Sequence, residues 1–177
     1  MLIILASMNQ LEYTKNLVKI TEDIFKYKAL LKEGGRILCF DYGKSATGLS
    51  ISDDKKRIAL GLNTLSKDTF KKFINKIENI VNNKNIMSFI VGLPLNKDGS
   101  KGPRAQSAIT FASLLYKTFN KPILLWDERF STKGVENQLS YAKVSKKLIK
   151  KNIDTASATW ILQSALDALI FVEENDA

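Results

Sequence analysis

The chain has 177 residues, of which 45% are hydrophobic, enough for one compact domain with a real core. Its 27 Lys and Arg against 18 Asp and Glu give a formal charge of +9. That excess points to a polyanionic partner such as nucleic acid, and equally to a genome whose composition favours Lys, Asn and Ile.

With no His and one Cys, Cys39, the chain has no internal disulfide and a poor basis for a zinc site or a His-activated nucleophile. Any metal would be held by carboxylates, which suit Mg²⁺ or Mn²⁺. No apolar run approaches the roughly 20 residues of a membrane span, and "MLIILASM" lacks the basic residues that open a signal peptide. The expectation is a cytoplasmic protein with no membrane partner.

Residues 11–33 carry apolar side chains at helical spacing, ending at Gly34-Gly35, and predict an N-terminal helical extension over 1–34 ahead of a domain over 35–177. The period then changes. "RILCFD", "TGLSIS" and "KRIALGLNTL" read as three strands, with Asp53-Asp54 turning the second into the third. Phe70, Phe73, Ile74, Ile77 and Val81 mark a helix, and "IMSFIVGLP" a strand stopped by Pro94. A helix follows from about Arg104 to Phe119, offering Ala108, Phe111, Ala112 and Leu115 to the core. "PILLWDE" is a further strand. A last helix from about Thr155 presents Ala158, Ile161, Leu162, Ala165 and Leu169. This order predicts an α/β domain: a mixed sheet of a three-strand antiparallel meander plus two parallel strands, covered by helices.

Three carboxylate positions lie at element ends. Asp41 closes the first strand of the meander, Asp127 and Glu128 close "PILLW", and Asp154 precedes the predicted last helix. Strand ends are where α/β sheets collect ligands, and carboxylates converging there can hold divalent ions for phosphoryl displacement. Each also has a structural use: Asp41 in its turn, Asp154 as a helix N-cap, Asp127 and Glu128 as solvated strand ends. Neighbours on a strand point to opposite faces, so only one of Asp127 and Glu128 is expected to reach a shared site.

Four blocks taken together are more specific: "FDYGKSATGLSIS", "IVGLPLNKDGS", "WDERFST" and "IDTASATWILQSALD". In this order and spacing they resemble the YqgF/RuvX family of RNase H-like proteins, over the chain from about Arg36 to the last helix. The resemblance implies Asp41, Glu128 and Asp154 as metal ligands and catalytic carboxylates, with Mg²⁺ or Mn²⁺ as the ion. It also implies a nuclease acting in maturation of the small-subunit ribosomal RNA precursor, so RNA and ribosomal precursor particles are expected partners. Alternatives are resolution of four-way DNA junctions and a non-catalytic nucleic-acid-binding module, in a monomer or homodimer.

Candidate phosphate contacts are Lys44 after the first carboxylate, Asn96, Lys97, Ser100 and Lys101 in the "VGLPLNKDGS" loop, and Arg129 beside Glu128. In "YAKVSKKLIKKN", Lys143, Lys146, Lys147 and Lys150 would share one helical face leading to Asp154, as an electrostatic clamp on substrate. A solvated lysine run is the plain alternative.

Overall fold

A computed structural model describes residues 19–66, 69–129 and 146–175, the side chains of residues 70 and 146–154 excepted. The elements in chain order are β1 (Ile20–Thr21), α1 (Ile24–Leu30), β2 (Arg36–Tyr42), β3 (Ala46–Ser52) and β4 (Ala59–Ser66). Then come α2 (Phe70–Asn83), β5 (Ile86–Leu93), α3 (Pro103–Phe119), β6 (Ile123–Asp127) and α4 (Lys146–Asn175). The strands form one sheet in the order β1-β6-β5-β2-β3-β4. β2, β3 and β4 are antiparallel neighbours, whereas β5 runs parallel to β2, β6 to β5, and β1 to β6. This is the mixed sheet expected from the sequence, a three-strand antiparallel meander plus two parallel strands, with one short strand added at its parallel edge.

The continuous apolar run of β2 follows from its central place, where both faces are covered. Leu38 and Phe40 join Phe89, Val91 and Leu125 beneath α2 and α3, which contribute Phe73, Ile77, Val81, Ala108, Phe111, Ala112 and Leu115. Ile37 and Cys39 face the other way, with Ile90 and Leu124, under Ile161, Leu162, Ala165, Leu166 and Leu169 of α4. Of the predicted helix faces, Phe73, Ile77 and Val81 of α2, Ala108, Phe111, Ala112 and Leu115 of α3, and Ala158, Ile161, Leu162, Ala165 and Leu169 of α4 are buried.

The N-terminal segment does more than form a helix. Within the described part of the expected extension, residues 19–34, a helix is present over Ile24–Leu30, started by Asp23, whose side chain accepts from the N–H groups of Phe25 and Lys26; residues 1–18 lie outside the described residues. Before it, Ile20 and Thr21 pair with Ile123 and Leu124 of β6. Tyr27 of α1 is fully buried in the α4-side core, its hydroxyl 2.9 Å from Ser88 Oγ and 3.1 Å from the carbonyl of Phe89. Two or three apolar residues at helical spacing read alike in a helix or a short edge strand, which is why β1 escaped the periodicity.

The last helix departs from expectation at its start. It begins at Lys146 rather than Thr155, so Asp154 lies inside the helix and is not its N-cap. Thr155–Asn175 is also long and apolar enough, by length and composition, to cross a membrane, contrary to the reading of the sequence. Its apolar stripe, Ala158, Ile161, Leu162, Ala165, Leu166, Leu169 and Val172, is instead buried in the domain.

Candidate active site

Strand alternation decides which side chains share a face at the C-terminal ends of β2, β5 and β6. Asp41 is two residues beyond Cys39, so it takes the α4 side of the sheet, while Tyr42 takes the α3 side. Glu128 is two beyond Trp126, whose ring packs in the α4-side core and whose Nε1–H donates to Ser164 Oγ at 2.8 Å. The N–H of Glu128 still reaches the carbonyl of Leu93 at 3.2 Å, extending the β5–β6 ladder by one residue and keeping the alternation.

Between the two carboxylates lies Gly92, paired with Trp126 in the register. A Cβ at Gly92 would stand 2.5 Å from Glu128 Oε1 and 2.8 Å from Ile161 Cδ1. Glu128 therefore lies back across the bare backbone of Gly92, towards β2. Burial first, and the negative charge of Asp41 second, push the Glu128 carboxyl from 4.5 up to about 7, against the positive charge of Arg104. Two carboxylates are thus held where ionising both is unfavourable, as a site for a divalent cation requires. With oxygen donors alone, the pair fits Mg²⁺ or Mn²⁺.

Asp127 is used differently. Arg129 donates to both of its oxygens, from Nη2 at 2.7 Å and Nε at 2.9 and 3.1 Å, and its backbone N–H adds a bond of 3.0 Å. Against the burial that would raise it, these bonds hold the Asp127 carboxyl below its usual value. Arg129, a candidate phosphate contact, is thereby engaged by its own neighbour.

The third expected carboxylate is placed by backbone only. Position 154 lies four residues before Ala158 and seven before Ile161, both buried against the sheet, and its side chain lies outside the described residues. Just beyond it α4 is tied down closely. Thr155 Oγ1 donates to the carbonyl of Leu62 at 3.1 Å, and Ser50 Oγ donates to that of Ala158 at 2.7 Å. Gly61 permits this approach, since a Cβ there would meet Thr155 Cγ2 at 2.7 Å. Among the described residues no three Asp, Glu, Cys or His side chains cluster closely enough to hold an ion.

The loop residues mostly shape the loop. Asn96 Nδ2 donates to Ser100 Oγ at 2.9 Å, Ser100 donates from N and Oγ to Asp98, and Gly99 at φ +85° closes the turn. Lys101 pairs with Glu22 at 2.5 Å. Lys44 and Lys97 are exposed. Lys146, Lys147 and Lys150 fall in the first turns of α4 with undescribed side chains, and Lys143 lies outside the described residues.

Sequence reasoning missed Arg104, whose charge acts on Glu128 from the first turn of α3. The available signal was its place directly after Pro103, where the helix must begin beside the strand ends.

A family model described as "RuvX: Holliday junction resolvase" matches residues 35–168, which include Asp41, Gly92, Arg104, Glu128 and Asp154. The chain belongs to the RuvX family. A protein of Bradyrhizobium sp. strain BTAi1 named "Putative pre-16S rRNA nuclease" is 41% identical over 137 residues, covering 77% of this chain and 85% of its own. A protein of the same name from Rhodopseudomonas palustris strain HaA2 is 39% identical over 142 residues, 80% of this chain and 89% of its own. Among solved structures, T. thermophilus RuvC in complex with a Holliday junction substrate is 11% identical, covering 77% of this chain and 96% of its own, at a TM-score of 0.48. The RuvX match begins at residue 35, so β1 and α1, with the buried Tyr27, lie before the matched region.

Proposed function

We propose that this RuvX chain is a metal-dependent nuclease that hydrolyses phosphodiester bonds in the precursor of small-subunit ribosomal RNA. The observation that carries the reading is the placement of Asp41 and Glu128 on one face of the sheet at the ends of β2 and β6, either side of β5 and close enough that the charge of Asp41 raises the carboxyl of Glu128. The names of relatives about 40% identical supply the RNA substrate.

Asp41 and Glu128, with Asp154 of α4 as the third carboxylate, would hold Mg²⁺ or Mn²⁺. When bound, such ions activate water and stabilise the departing oxygen in an in-line displacement. Gly92 keeps Glu128 in place, and Arg104 and Lys44 supply positive charge beside the acidic pair to draw in the phosphate chain. The chain has no His to act as general base. We place the protein in the cytoplasm, working on ribosomal precursor particles.

The family's description favours a second substrate, the four-way DNA junction. Purified protein with Mn²⁺ is incubated with precursor ribosomal RNA and, separately, with a synthetic junction. Cleavage of the RNA at discrete positions, absent in Asp41→Asn, supports the proposal; cleavage of the junction alone assigns the second reading. Binding of either without metal-dependent cleavage returns the chain to a binding module.

A further inference from the structure

A cleft of about 990 Å³ lies around the strand end from the acidic pair, on the α3 side. Its volume is at the upper end of the roughly 300–1,000 Å³ usual for ligand sites. One wall is the β2–β3 turn, with Tyr42, Gly43 and Lys44. The other is a stripe of α3 in which Gln106, Ser107 and Thr110 recur at helical spacing after Arg104. Phe111 lies between them, its ring stacked on that of Tyr42 with centroids 4.2 Å apart and planes at 10°. Tyr42 is thus backed on one face and still lines the cleft. Lys44 and Arg104 line it too, and no carboxylate does.

These features describe a receptor for an anionic chain carrying flat, apolar groups. We propose that the cleft seats one unpaired nucleotide beside the acidic pair of Asp41 and Glu128, its base against Tyr42 and its phosphate drawn by Lys44 and Arg104. The assignment of nucleic acid as occupant rests on the nuclease reading; the charge and aromatic lining fit it independently. Asp41 and Tyr42 are consecutive and point to opposite faces, so a strand crossing the bare backbone of Gly43 passes from the acidic pair straight into the cleft. Aromatic platforms with a cationic groove are the general means of holding single strands, because every base has a π-face. A paired base cannot enter, so the cleft selects for an unpaired flank.

The test measures binding in EDTA, so that it is read apart from cleavage. Single-stranded RNA and DNA oligonucleotides carrying one 2-aminopurine, and a blunt RNA duplex, are titrated with the full chain. Wild type is expected to quench the 2-aminopurine and to bind single strands more tightly than duplex. Tyr42→Leu, which keeps apolar packing on Phe111, should lose the quenching and weaken single-strand binding about 5- to 100-fold. Lys44→Gln with Arg104→Gln should lower the salt slope by about 1.4 log units, roughly 0.7 for each phosphate contact on a single strand. Ser107→Glu, at an exposed helix position, introduces a carboxylate into the cleft without touching the core, and should weaken single-strand binding while sparing duplex. Comparing the RNA and DNA arms assigns the sugar preference. Unquenched wild type, or equal loss of single-strand and duplex binding in Ser107→Glu, would overturn the assignment. Failure of wild type to cleave in Mn²⁺ would defeat the nuclease reading while leaving this binding result standing.

Discussion

Glu128 rests on Gly92: its Oε1 occupies a point only 2.5 Å from where any Cβ on that glycine would be. Gly92 is needed for space, since it carries no positive φ among the glycines that do. In Gly92→Ala the methyl group meets both Glu128 and Ile161 Cδ1, and the Glu128 carboxylate, at the shorter distance, must shift. Metal-dependent cleavage should fall to nearly the level of Glu128→Gln, and Mn²⁺ affinity should drop with it. Overpacking against Ile161 should cost about 1–3 kcal/mol of stability. In the Glu128→Gln background, Gly92→Ala should add little further loss of activity, because one assembly is already disabled. Cleavage rates for the four proteins of this cycle, with a urea melt of each, provide the check.

Asp41→Asn, Glu128→Gln and Asp154→Asn should each lower cleavage by at least about 100-fold while leaving the circular dichroism spectrum unchanged, with far from additive doubles. Asp127→Asn should cost less than about tenfold, because Asp127 serves Arg129 on the other side of the strand. A dead Asp127→Asn beside an active Glu128→Gln would reverse this assignment. Single-turnover cleavage with saturating Mn²⁺ separates the two cases.

The sheet and its helices were legible because their signals are local. β2 reads as an unbroken apolar run, and Phe73, Ile77 and Val81 repeat at helical spacing. The preference for Glu128 came from the family resemblance; alternation limited the pair to one side chain, and the structure adds why, through Trp126 below it and Gly92 beneath it. What escaped depends on distant pairing. β1 exists because β6 offers it an edge, and the effect of Arg104 on Glu128 joins α3 to β6 across the strand ends. The start of α4 was misplaced because Asp154 looks like an N-cap, while the lysines before it are equally good helix formers.

Tyr27 tests whether the N-terminal segment belongs to the folding unit. Its hydroxyl lies among Ser88 Oγ and the Phe89 carbonyl with no exposed surface, and burial pushes its ionisation well above the ordinary range. Tyr27→Phe leaves a buried hydroxyl on Ser88 short of a partner and should cost about 1–3 kcal/mol. Tyr27→Ala also opens a cavity and should cost about 3–5 kcal/mol. Neither should alter cleavage per folded molecule below its melting range, since Tyr27 packs against Ser88, Phe89 and the α4-side core. Urea melts monitored by tryptophan fluorescence measure the loss, and a neutral Tyr27→Ala would separate α1 from the core.

The raised carboxyl of Glu128 makes stability depend on pH in a defined direction. Its folded value of about 7 exceeds the ordinary 4.5, so between these limits the native state binds more protons than the unfolded chain. Linkage then requires stability to fall as pH rises through that window. The contribution is fully present below about 4.5 and lost by the time pH has passed 7. At about 1.4 kcal/mol for each pH unit, the full span is on the order of 3 kcal/mol. Other groups titrate in the same range, so the informative quantity is the difference between wild type and Glu128→Gln, which cannot ionise. In EDTA the two should melt together near pH 4. By pH 8 the variant should melt higher by about 6–12 °C, at roughly 2–4 °C for each kcal/mol in a chain of this size. Adding Mn²⁺ at pH 8 should stabilise wild type and close the gap, because a cation that binds only the folded state raises its stability by mass action. A gap that stays constant from pH 4 to pH 8 would show that Glu128 ionises at its ordinary value, and that Asp41 and burial do not act on it as the geometry requires.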